Sequence, residues 1–304
     1  MTDLSVDLGF LKLKNPVITA SGTFGYGTEF LPYFKLEELG GFIVKGLYYS
    51  PKPGNPPPRL AETACGLINA IGLQGIGVER FSSEILPSLK GCRTVLIVNI
   101  CGESEEEYAQ VVEYLDKHDG IAVYEINISC PNVKQGGACP ALDPKSTFSI
   151  VNLVKKTTKR PVITKLSPNV TDIVEIALSA QEAGSDAVSL VNTFLAMSID
   201  IKTRKPYLAN VMGGLSGPAI KPLAVRMVYQ VAQALSIPVI GLGGIMTAED
   251  VVEFMLAGAS AVQVGTANFI DPRASVKIIQ GLHQYCRDNN ISHIRELTGA
   301  LEVS

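Results

Sequence analysis

Along the chain, short apolar runs rich in β-branched residues alternate with longer stretches in which apolar residues recur every three or four positions. The runs are "PVITASG", "GFIVKG", "TVLIVNI", "AVYEINIS", "PVITKLS", "AVSLVNT", "PVIGLGG" and "AVQVGT". Unbroken apolar runs of this length predict parallel strands buried on both faces, since a strand with one wet face would alternate. The stretches between them predict amphipathic helices, among them 103–118, 170–183 and 247–257, with Ser104, Thr171 and Thr247 placed as N-caps. Eight strand–helix units predict an α/β fold of the (β/α)8 TIM-barrel class; an open doubly wound sheet, which needs fewer strands, is the alternative.

Two segments interrupt the repeat. Residues 47–77 are too rich in proline and glycine for a helix, and 194–216 reads as a hairpin or loop insertion. Both follow strands, so both belong on the C-terminal face of a barrel, where they would cover a substrate.

A chain of 304 residues, 46% hydrophobic, is sized for one barrel domain over 1–304. The formal net charge of -3 comes without a basic run, so the electrostatic drive for nucleic acid or an anionic membrane is missing and a small-molecule site is expected. Charges inside the first hydrophobic stretch, "MTDLSVDLGFLKLKNP", do not match a cleavable signal, which points to the cytoplasm. The longest uncharged run, "MVYQVAQALSIPVIGLGGIMTA", is broken by Pro238 and three glycines and reads as helix end, strand and glycine loop. Six cysteines show no C-x-x-C spacing, so neither a zinc site nor an iron–sulfur cluster is expected on this chain.

Chemistry concentrates where the predicted strands end: Ser21, Lys45, Asn99, Asn127 with Cys130, Lys165, Asn192 with Thr193, Gly243 with Gly244, and Gly265 with Thr266. "GLGGI" before helix 247–257 and "VGTAN" before a helix over 267–283 place bare N–H groups at helix starts after the last two strands, which suits a phosphate; the same glycines would also serve plain tight turns. Lys45 and Lys165 interrupt apolar strands and must meet an anion or an electron-rich ring, or snorkel to the rim. Asn69, Asn99, Asn127, Asn132 and Asn192 offer donors and acceptors without charge, suited to a planar ring such as a pyrimidine or a flavin. Cys130, held between Ser129 and Pro131 just past the fourth strand, is placed to act as base or nucleophile, with lysines nearby to favour its thiolate. Cys139 shares its loop, as an incidental thiol or an oxidation partner.

These motifs carry a resemblance. "NISCPN" at 127–132 resembles the active-site loop of class 1 dihydroorotate dehydrogenases, and "NAIGLQ" at 69–74 resembles their substrate loop. "SPNVTDI" at 167–173, "GGLSGPAIKP" at 213–222 and "VGTANF" at 264–269 resemble the class 1B catalytic subunit, and the likeness runs through essentially the whole chain. The resemblance implies a barrel that holds FMN and oxidises dihydroorotate to orotate in pyrimidine synthesis. Carried over residue by residue, FMN is met by Ala20, Ser21, Lys45, Gly46, Asn99, Asn127, Lys165, Val191, Gly217, Gly243, Gly244, Gly265 and Thr266, the last four holding its phosphate. Orotate is met by Lys45, Asn69, Ala70, Ile71, Gly72, Leu73, Asn127, Asn132, Asn192 and Thr193. Cys130 is implied as base and Lys165 as the residue that stabilises charge on the reduced flavin. The resemblance further implies a homodimer of this chain joined to a partner subunit carrying FAD and a [2Fe–2S] cluster, a heterotetramer that passes electrons to NAD+. Rival readings are a fumarate-linked class 1A enzyme, a dihydropyrimidine dehydrogenase-like reductase, and a non-redox barrel isomerase that binds a sugar phosphate.

Overall fold

The computed structural model describes residues 2–128 and 143–303. The apolar runs form a closed parallel barrel of eight strands: β1 (Val17–Thr19), β2 (Gly41–Leu47), β3 (Val95–Ile100), β4 (Val123–Asn127), β5 (Val162–Lys165), β6 (Ala187–Leu190), β7 (Val239–Leu242) and β8 (Ala261–Val264). Each pairs with the next in sequence and β8 closes onto β1, so the open sheet is excluded. Every residue of β5, β6, β7 and β8 is buried, which is why these strands carry no polar alternation.

The long helices are α1 (Glu105–Leu115), α2 (Pro144–Thr157), α3 (Ile173–Glu182), α4 (Lys221–Ala234), α5 (Ala248–Leu256) and α6 (Ala274–Asp288). Ser104 caps α1 as expected, its Oγ accepting from the Glu107 N–H at 3.3 Å. For α3 the cap is Asp172 rather than Thr171: its carboxylate accepts from the Val174 N–H at 2.8 Å, and a charged acceptor also suits the positive helix start. Residues 267–283 are not one helix. Ala267–Ile270 forms a single turn, Asp271 turns extended ahead of Pro272, and α6 begins at Ala274.

The two insertions meet in one sheet. The strands Leu60–Thr63 and Gly66–Asn69 from the first, and Phe194–Met197 and Met212–Ser216 from the second, form a four-stranded antiparallel sheet. Its central join pairs Asn69 with Gly214 and Leu67 with Ser216. The sheet has a small core of its own, Ala61, Ile68, Ala70 and Leu208, apart from the main cluster that fills and surrounds the barrel.

Candidate functional site

Strand alternation and barrel closure aim Asn99, Glu125, Asn127, Lys165, Ser189 and Gln263 into the barrel, where their side chains bond one another. Lys165 is buried, with its Nζ donating to Ser21 Oγ at 3.2 Å and lying 3.7 Å from Glu125 Oε1. Asn99 Nδ2 donates to the same Glu125 oxygen at 2.7 Å, which turns the Asn99 carbonyl the other way, to accept from Asn127 Nδ2 at 3.5 Å and from Cys101 Sγ at 3.6 Å. Asn127 is held from behind, since the buried Tyr108 hydroxyl of α1 donates to its carbonyl at 2.8 Å. Strand-end residues from β1, β3, β4 and β5 thus form one connected array.

Lys45 lies half-buried at the end of β2, and its backbone N–H donates to Gly25 O at 2.8 Å. Burial pushes the Lys45 ammonium below the ordinary lysine range; Arg59 adds to the effect and Glu29 opposes it. A side chain on neighbouring Gly46 would come within 2.8 Å of both Asn99 Oδ1 and Cys101 Sγ, so bare backbone lines this wall. Ala20 is buried, its N–H donating to Val264 O at 2.8 Å, and Val191 is buried with its N–H donating to Leu242 O at 2.8 Å.

The glycines converge from three loops. A Cβ on Gly244, at φ 81°, would sit 2.8 Å from the Gly217 carbonyl oxygen, and one on Gly217, at φ 96°, would sit 2.8 Å from Gly66. The same Cβ on Gly217 would touch Thr266, whose hydroxyl donates to Ser216 Oγ at 2.8 Å. Gly243 backs onto Val191, and Gly265 onto Ala20. The helix start after Gly244 differs from expectation: the Met246 and Thr247 N–H groups donate to Asp250 Oδ2 at 2.8 and 2.9 Å in a capping box, so those amides are already engaged. Backbone packs closely at Gly217, Gly243 and Gly244, where a side chain would have no room.

The loop after Gly66–Asn69 runs through Ala70, Ile71, Gly72 and Leu73, with Gly72 and Leu73 at φ 72° and 54°. Asn55 holds this turn: its N–H donates to Ile71 O and its Nδ2 to Ala70 O, each at 3.0 Å. Asn69 Nδ2 donates to Gly214 O at 3.2 Å, and a side chain on Gly214 would run into the Thr193 hydroxyl. Asn192 Oδ1 accepts from the Thr193 N–H at 2.8 Å. Asn69, Asn192 and Thr193 are therefore neighbours through Gly214. Cys130, Asn132 and Cys139 lie outside the described residues.

Reading only the strand ends misses Glu125, Ser189 and Gln263, which stand inside strands. The signal was available in "AVYEINIS", "AVSLVNT" and "AVQVGT": a carboxylate, a hydroxyl and an amide within runs that burial requires to be apolar. Among the described residues no group of three or more His, Cys, Asp or Glu side chains could hold a metal ion.

The dihydroorotate dehydrogenase family model matches residues 3–286. The chain is 56% identical over 299 residues to the protein named dihydroorotate dehydrogenase B (NAD(+)), catalytic subunit, of Geotalea uraniireducens (strain Rf4), covering 98% of each. It is 52% identical over 303 residues to the protein of the same name from Bacteroides fragilis, covering 100% of each. The solved structure of DHODH in complex with ferulenol from Eimeria tenella superposes with a TM-score of 0.81 at 23% identity, over 98% of this chain and 88% of that one, a likeness of fold. A barrel whose strand ends gather these groups, matched almost end to end by such relatives, belongs to the dihydroorotate dehydrogenase family.

Proposed function

We propose that this chain is the FMN-containing catalytic subunit that oxidises dihydroorotate to orotate in pyrimidine biosynthesis. The observation that carries this reading is the connected array Ser21, Lys165, Glu125, Asn99 and Asn127 at the barrel mouth. Its ammonium and amides suit a planar ring with carbonyl and N–H edges. Ala20, Ser21, Lys45, Gly46, Asn99, Asn127, Lys165, Val191 and Gly217 would hold FMN, with Gly243, Gly244, Gly265 and Thr266 around its phosphate. Bound there, FMN supplies the acceptor for the hydride that leaves C6 of the dihydropyrimidine.

The chain's own residues do the rest. Cys130, as thiolate, takes the proton from C5, while Lys45, Asn69, Asn127, Asn132, Asn192 and Thr193 fix the ring and its carboxylate. The turn Ala70–Leu73 closes over the substrate and excludes water. Lys165 places positive charge where negative charge grows on the ring system during the reaction. The relatives' designation as catalytic subunits, NAD(+)-linked, supports a separate electron-transfer partner; in this reading that partner carries FAD and [2Fe–2S] and joins a homodimer of this chain in a heterotetramer. No helix among the described residues is long and apolar enough to cross a membrane.

The test is anaerobic mixing of the purified protein with dihydroorotate while the visible flavin band is followed. We expect bleaching, and roughly 100- to 10,000-fold slower bleaching in Cys130→Ala with orotate still bound. An intact band with dihydroorotate beside bleaching by dihydrouracil would move the enzyme to the uracil-reducing class, and a protein that takes up no FMN would end the flavin reading.

A further inference from the structure

Glu125 is a fully buried carboxylate at the centre of β4. A barrel interior is ordinarily filled by branched apolar side chains, and a buried charge persists only when paired and hydrogen-bonded. Here the partners come from four other strands: Asn99 of β3 at 2.7 Å, Lys165 of β5 at 3.7 Å, Ser189 of β6 at 2.9 Å and Gln263 of β8 at 2.5 Å. Two of these strands, β6 and β8, do not touch β4, so the carboxylate gathers them across the barrel's interior. Gln263 spends its amide N–H on Glu125 while its Oε1 has no hydrogen-bond partner among the described residues, so the carboxylate is what holds this side chain.

Two consequences reach the site above. Glu125 fixes the amide of Asn99 with its N–H side down, which presents the carbonyl to Asn127 and to the wall at Gly46. It also holds Lys165 from below while Ser21 meets the same ammonium, so the cation is tethered at two points and its charge is balanced by one specific carboxylate.

We propose that Glu125 is a positioning residue that sets the reduction potential of the bound flavin, orienting Lys165 and Asn99 and offsetting the lysine's charge. This inference rests on the flavin reading above. With Glu125 in place the ion pair is neutral, and the pull of Lys165 on electrons entering the ring is moderated. Without the carboxylate, Lys165 would be an uncompensated cation near the flavin it helps to hold, and would favour that group's reduced, negatively charged state.

The experiment is the equilibrium of FMN-loaded protein with an indicator dye of known potential. Glu125→Gln keeps the volume and removes the charge; at equal FMN content, its ratio of reduced to oxidised flavin should rise about tenfold or more over the parent. Glu125→Asp, which retains the charge, should stay near the parent. The double variant Glu125→Gln with Lys165→Met, neutral as a unit, should also stay near the parent, whereas Lys165→Met alone should shift toward oxidised flavin. These two variants carry the test should Glu125→Gln fail to fold. A parent-like potential in Glu125→Gln, or a double variant shifted as far as Lys165→Met alone, would overturn the inference and leave the flavin reading standing. A parent protein that takes up no FMN would overturn both.

Discussion

The barrel floor and the sheet laid over its mouth are both made of β-strands, yet they are held by different means. The floor is parallel and closed: β5 to β8 expose no residue, and Lys165, Ser189 and Gln263 bond inside the barrel. The cover is antiparallel with open edges, its core is four residues, and Leu195 and Met197 on its edge strand are 62% and 46% exposed. Burial of Ile68 and Leu208 contributes roughly 1.5–3 kcal/mol each, a small share beside the core of the barrel. The difference is one of local stability: the closed floor has a large shared core, whereas the cover rests on a small core of its own and is the part expected to open first.

The sharpest way to break this division is at the glycine seam of Gly217 and Gly244, proposed above to hold FMN and its phosphate. Gly244→Val forces a β-branched side chain into φ 81° and against the Gly217 carbonyl, so flavin retention through purification should fall roughly a hundredfold. Circular dichroism should remain that of an intact barrel. Full flavin content in the variant would show that the seam is not where the phosphate sits.

A smaller and more local effect is expected in the cover. Leu208→Ala empties part of the four-residue core and should cost about 2–5 kcal/mol of cover stability. Hydrogen exchange should quicken in 60–69 and 194–216 while the amides of β5 to β8 keep the parent's rates, and KM should rise with flavin content unchanged. Equal acceleration in barrel and cover would mean that they open as one unit.

The mildest effect lies where floor and cover meet, at Lys45. Burial favours its neutral form, so as pH rises it loses its proton earlier than an ordinary lysine. Affinity for the orotate anion should therefore weaken on the alkaline side, severalfold across the Lys45 titration, and Lys45→Met should bind more weakly overall and lose that alkaline limb. An unchanged limb in Lys45→Met would assign the pH dependence to another group.

The local pattern was sufficient for much of the barrel. Buried parallel strands advertise themselves as unbroken apolar runs, and helix starts as a capping side chain before an amphipathic stretch, as at Ser104 and Thr247. It was insufficient where two neighbours compete for one role. Thr171 and Asp172 both suit a cap, and backbone geometry gave the place to Asp172; Pro272 split a stretch whose periodicity suggested one helix.

The sequence by itself determined the eight strands and which side chains stand at the strand ends, because side-chain direction in a strand follows from counting by two and loops after parallel strands share one face; closure of the strands into a barrel was read from the structure. Only the tertiary structure decided that residues 60–69 and 194–216, far apart in the chain, pair as one sheet, and that Glu125 gathers Asn99, Lys165, Ser189 and Gln263 from four other strands. Pairing register and cross-barrel hydrogen bonds are set by closure of the whole barrel. They leave only a faint mark on the local sequence: one acidic residue in a run that ought to be apolar.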